Sequence, residues 1–160
     1  MKVALNATPL IYLVKSDIHK IIGSLNLELI TTAQVAQEVL KPEFPEYSSL
    51  KDFFSGIRVK DIEINNEFSK IKGLDDGEAS ILSMAKNLKV VAVLDDKVAH
   101  LCALADEIEC YHTPFFIFRA LEIGKISKLE AIEYLDKLIV AGWYCDIGTY
   151  VRIRNKIEND

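Results

Sequence analysis

Apolar residues along this chain fall into two rhythms. Val90 to Leu94 is a continuous, β-branched run, too brief for a helix, and reads as a buried strand. Lys2–Leu5 and "LELIT" (27–31) read as two further strands. Between them the period lengthens: Leu10, Val14, Ile18 and Ile21 recur at i, i+4, i+8 and i+11. That spacing predicts one helix from near Pro9 with a single buried face, proline being tolerated in a first turn. "TAQVAQEVL" (32–40) predicts a second helix, with Thr31 and Gln34 spaced as a capping box. From Tyr47 to Ile71 the pattern weakens into two helical pieces around "IRVKDIEI". "GLDDGEASILSMAKNL" (73–88) then predicts a helix with its own cap, leading into the strand at 90–94. Val98, Leu101, Cys102 and Ala105 mark the helix after it, and "ECYH" is a last short strand. The final third, from Pro114, reads as helices broken at Gly124 and Gly142.

Strands alternating with helices at this spacing imply right-handed βαβ units and an α/β fold with a mainly parallel sheet. In such sheets, binding groups gather at the C-terminal ends of the strands. A length of 160 residues suits one domain, 1–160, with the helices from about 114 packed on it. The proline-bearing "KPEFPEYSS" (41–49) reads as a loop within it rather than a linker.

Composition narrows the chemistry. A net charge of −5 argues against a broadly basic nucleic-acid-binding surface. It leaves room for a nucleic-acid enzyme whose acidic pocket is neutralised by metal ions. Cys102, Cys110 and Cys145 are odd in number and lack CxxC spacing, which favours reduced thiols. His19, His100 and His112 lack metal-ligand spacing, which argues against zinc. No apolar run spans a bilayer, and "MKVALNATPLIYLV" reads as a strand entering a helix, so no membrane association and a cytoplasmic location are expected.

The carboxylates each have a plain reading. Asp95 and Asp96 follow a strand and precede a helix, where one aspartate serves as an N-cap and the second is left unexplained. Asp75 and Glu78 fit a capping box, yet Glu78 shares a face with Leu82 and Ala85. A glutamate on that apolar face is costly unless something pairs with it. Glu38 borders the face of Val35 and Val39, and Asn6 and Thr8 suit a turn after the first strand. Taken together, oxygen ligands after two strands and on two helices are expected to converge on a hard cation. Magnesium needs few carboxylates, and one or two such ions activate water and stabilise a phosphoryl transition state.

The pieces "LNATPLIYL", "TAQVAQEVL", "LDDGEASILSMAK" and "VLDDKVAHLCA", with the tail "TPFFIFRALEIGKI…LDKLIVAGWY", resemble the PIN-domain family of metal-dependent ribonucleases. The likeness is to the branch related to VapC-type toxins and covers nearly the whole chain. It implies a three-layer α/β/α sandwich with a short, mainly parallel central sheet, and an acidic pocket holding Mg2+ or Mn2+. On this resemblance Asn6 takes the place of the first acidic residue, and Thr8 that of the small hydroxyl residue after it. Glu38, Glu78 and Asp96 take the remaining acidic places, with Asp95 an auxiliary ligand. The departure is Asn6, where the family usually has aspartate: an amide oxygen ligates a metal but brings no charge.

The resemblance thus implies hydrolysis of RNA phosphodiesters, with Asp96, Glu78 and Glu38 holding the ions and Asn6 and Thr8 positioning them. Lys97, His100 and Arg119 are candidates for the phosphate backbone, although exposed cations are usually just solvated. An antitoxin inserting a basic side chain into the pocket follows from the toxin analogy, and the apolar C-terminal helices offer a homodimer surface, their plain reading being core. One rival reading is a catalytically weakened module that binds RNA or a protein without cleavage. Another is a phosphoacceptor receiver domain, disfavoured because the acid pair comes late and the first strand ends in Asn6.

Overall fold

Strands and helices alternate as the residue pattern predicts in the computed structural model, which describes residues 1–159. The first half runs β1 (Lys2–Leu5), α1 (Ala7–Lys15), α2 (His19–Ile22), β2 (Glu28–Thr32), α3 (Ala33–Val39), α4 (Tyr47–Phe54), β3 (Arg58–Lys60) and α5 (Asn66–Ser69). The second runs α6 (Asp76–Leu88), β4 (Val91–Val93), α7 (Lys97–Ala105), β5 (Cys110–Tyr111), α8 (Phe115–Glu122), α9 (Lys128–Val140) and α10 (Ile147–Asn159).

The strands form one sheet in the order β3-β2-β1-β4-β5, every pairing parallel. With its helices this is an α/β/α architecture. Parallel strands are joined by crossovers that place helices on the sheet, so central strands are apolar on both faces. Val3, Ala4 and Leu5 of β1 and Ala92 and Val93 of β4 are accordingly inaccessible to solvent. Truncating such a side chain to alanine costs about 2–5 kcal/mol where a large residue is lost. One core runs from Val3 to Ile157 and includes Phe116, Leu135 and Leu138 of the C-terminal helices. The order differs from the 2-1-3-4-5 arrangement of flavodoxin-like receivers, which removes that rival.

Helix α6 is the central strut. Ile81, Leu82, Met84 and Ala85 are buried, and the helix packs against β1, β2 and β4. Its two buried serines are satisfied locally: Ser80 Oγ donates to Gly77 O and Ser83 Oγ to Ala79 O, each at 2.7 Å.

Two expectations are corrected. The predicted single helix from Pro9 is two, because the backbone turns left-handed at Asp17 (φ 63°) and Ile18 starts a new turn. The cap of α3 is Thr32, whose Oγ1 accepts from Val35 N; Thr31 instead donates to Leu5 O at 2.7 Å, inside the sheet. The two helical pieces expected around "IRVKDIEI" are α4 and α5, and the stretch between them adds the strand β3, paired to β2 at one edge of the sheet. Helix α7 forms where Val98, Leu101, Cys102 and Ala105 mark it, with Ala99 and Ala103 on its buried face and Leu101 56% exposed.

Candidate acidic metal centre

The strand order reverses direction between β1 and β4, and the crevice beyond their C-terminal ends is where α/β sheets bind ligands. Asn6 leaves β1 at this point. Its backbone N–H donates to Val93 O at 3.2 Å, extending the β1–β4 ladder by one bond, and its carbonyl accepts from Leu10 N to begin α1. The side chain is buried, caps nothing, and its Oδ1 has no hydrogen-bond partner. A buried acceptor left without a donor is costly, so its position calls for a cation or a water-borne proton.

Helix α6 begins against the same crevice. A methyl placed on Gly77 would lie 2.9 Å from Glu38 Oε2, 3.2 Å from Asp75 Oδ1 and 3.5 Å from Asn6 Oδ1. Three oxygens from three segments therefore surround one glycine, on which any side chain would fill the space between them. Burial fixes α6 there: Thr32 Oγ1 and Ser80 Oγ share a hydrogen bond of 2.7 Å between the end of β2 and the helix.

Glu78 adds the fourth oxygen group. Asp75 Oδ1 accepts from Glu78 N at 2.7 Å and Glu78 Oε2 accepts from Asp75 N at 3.0 Å, a complete capping box. Only 8% of Glu78 is exposed. Burial pushes its carboxyl up to about 7, the Asp75 N–H opposes the rise, and the charges of Asp75, Asp96 and Glu38 add to it. Glu38 is likewise raised, first by burial and then by Asp75. Asp96 caps α7 through Oδ1, which accepts from Ala99 N at 2.9 Å. In Glu78 and Asp96 one carboxylate oxygen serves a helix cap and the other is left for a further ligand.

The donor set is all oxygen: one amide and four carboxylates, whose crowding adds to the raised proton affinity of Glu78 and Glu38. It fits a hard divalent ion, which would relieve the repulsion and satisfy Asn6 Oδ1. Among the described residues no three histidine, cysteine, aspartate or glutamate side chains already close on one point as ligands.

Other candidates go elsewhere. Asp95 points away from the ring: its Oδ1 accepts from Thr113 N at 2.9 Å and its Oδ2 from Thr113 Oγ1 at 2.6 Å, tying β4 to the start of α8. Thr8 is exposed in the first turn of α1. Lys97 is exposed beside Asp96, at the start of α7. His100 is committed internally, its Nε2 2.6 Å from Leu94 O and its ring stacked on His112 with centroids 3.7 Å apart. Arg119 lies at the far end of the sheet, lining a cavity with Met1 and Glu109, which precede β1 and β5. The three cysteines are free thiols, and burial pushes each thiol up, Cys110 to about 12, so none is a thiolate near neutrality. The residue that pattern reasoning missed as a site member is Asp75. Its spacing to Glu78 was the signal, but that spacing is fully accounted for by a helix cap.

Comparison with known proteins gives the family and the fold. Residues 2–159 match the family model DUF3368, described as PIN domain. No curated protein matches the chain significantly. Among solved structures, a PilT N-terminus domain protein from the hyperthermophilic archaeon Sulfolobus solfataricus is similar, with a TM-score of 0.57 and 17% sequence identity. The match covers 76% of this chain and 95% of that one, and at this identity it speaks for the fold alone.

Proposed function

The chain belongs to the PIN-domain family, and from that premise we propose that it is a Mg2+- or Mn2+-dependent ribonuclease acting on RNA phosphodiester bonds. PIN domains are generally nucleases and typically depend on divalent metals. The observation that carries the reading is the ring of Asn6, Glu38 and Asp75 oxygens around Gly77, with Glu78 driven up to about 7 beside it. Asp96, Glu78, Glu38, Asp75 and Asn6 are the residues that would hold the ion. When bound, it would supply the charge that activates a water and stabilises the phosphoryl transition state. Without the ion Glu78 keeps its proton up to about pH 7, at the oxygen not engaged by Asp75 N–H, and would give it up on taking the ion. Asn6, pinned by the β1–β4 ladder, orients a neutral ligand without adding to the repulsion.

The same reading extends to a toxin role, with a cognate antitoxin placing a basic side chain in the acidic ring, to a homodimer and to a cytoplasmic location. The resemblance to the VapC-type branch supports the toxin and antitoxin, the apolar C-terminal helices the homodimer, and the N-terminal strand entering a helix the location. No helix among the described residues is long and apolar enough to cross a membrane.

Asn6 favours one second reading: a PIN-fold module, weakened by the lost charge, that binds RNA or a protein without cutting it. Incubating the chain with structured and single-stranded RNAs in millimolar Mn2+ separates the two. The nuclease reading expects cleavage that Asp96→Asn abolishes and Asn6→Asp retains with tighter metal binding. No Mn2+ binding and no cleavage by the native chain, with cleavage restored by Asn6→Asp, would favour the binding module.

A further inference from the structure

We infer that the cavity at the opposite, N-terminal end of the sheet binds a nucleotide, its phosphate on Arg119, Lys128 and Lys156 and its base against Tyr111 and Phe115. The cavity measures about 770 Å3, within the range of small-ligand sites. It shares no residue with the acidic ring, so it stands whether or not the ring cuts RNA.

Three cations and two acids line the cavity, an excess of positive charge on this wall. The two acids that line it are engaged: Glu109 accepts from the Tyr111 hydroxyl at 2.9 Å and Glu122 from Arg119 Nη1 at 2.8 Å. The cations have donors to spare. Arg119 lines the cavity with Nη1 given to Glu122, while its Nε is buried without an acceptor behind that wall. Lys128 donates to a backbone carbonyl, Glu158 O at 3.0 Å, and Lys156 lies 4.8 Å above the centre of the Phe118 ring. Among the described residues neither lysine has a carboxylate partner. Three such cations around one cavity are notable in a chain of net charge −5.

The remaining wall is aromatic. Tyr111 and Phe115 stack with ring centroids 5.0 Å apart and planes 25° from parallel, and Tyr111 is 42% exposed. A flat aromatic surface beside cations is the combination that takes a base and its phosphate together, each base offering a π-face whatever its identity. Inorganic anions would use only the cations, and a nucleoside only the rings.

Isothermal titration of the full chain in EDTA, which keeps phosphate from bridging a metal at the acidic ring, tests this. AMP and UMP should each bind about tenfold or more tightly than adenosine or inorganic phosphate. Arg119→Gln should weaken AMP about tenfold while leaving adenosine unchanged. Lys156→Gln, at an exposed helix position, should weaken AMP in the same direction, so the outcome does not hang on the folding of one variant. Equal affinities for AMP and inorganic phosphate would overturn the proposal, as would both variants binding AMP like the native chain.

Discussion

Raising the pH without metal should destabilise this protein through Glu78, by an amount the structure sets. The ordinary glutamate value is 4.5 and burial beside Asp75, Asp96 and Glu38 carries Glu78 to about 7. The folded state therefore holds this proton more tightly than the unfolded chain does. Its contribution to stability is complete below about pH 4.5 and is lost as the pH rises towards and through 7. A shift of that size corresponds to about 3 kcal/mol over the window, at roughly 1.4 kcal/mol per unit. For a domain of this length that is about 10 °C in melting temperature. Glu78→Gln isolates the effect, since the amide oxygen still accepts from Asp75 N but never ionises. Thermal and urea unfolding followed by circular dichroism in EDTA, from pH 4.5 to 8, should show the native chain losing ground to Glu78→Gln as pH rises. Above about pH 7 the gap should be constant. Millimolar Mn2+ should restore most of the native stability at pH 8, because the ion binds the ionised carboxylates of the folded state. Native and Glu78→Gln curves that stay parallel over the whole range would refute the argument.

Other perturbations probe neighbouring parts. Gly77→Ala puts a methyl 2.9 Å from Glu38 Oε2 within the oxygen ring. Glu38 is exposed and able to move, so unfolding should change by no more than about 1 kcal/mol, whereas Mn2+ affinity by titration should fall about tenfold or more. Asp95→Ala removes two bonds to the buried Thr113 and should cost about 2–3 kcal/mol in urea unfolding. The folded variant should bind Mn2+ as the native chain does, and a large loss of metal affinity would return Asp95 to the centre. Asp96→Asn should unfold within about 1 kcal/mol of the native chain, because asparagine caps a helix as well as aspartate, while cleavage is lost.

Strands β1, β2 and β4 were legible because central parallel strands must be apolar on both faces, a demand written into consecutive residues. The cap of α6 was legible too, since Asp75 and Glu78 act across a single turn. Strand β3 was not: Arg58 and Val59 are exposed at a sheet edge, where burial imposes no pattern. The break after α1 also escaped, because the apolar spacing continues across Asp17 while the backbone turns there.

The acids divide along the same line. By itself, the sequence determined that Asn6, Glu38, Glu78 and Asp96 occupy strand ends and helix faces, and that the first of these lacks a charge. The tertiary structure decided which of them meet. It brought in Asp75, whose capping role had seemed sufficient, and it sent Asp95 away to Thr113 and Arg119 to the other end of the sheet. Local hydrogen bonding can be read from spacing along the chain. Convergence of side chains depends on strand order, and the order β3-β2-β1-β4-β5 exists only once non-neighbouring segments have packed.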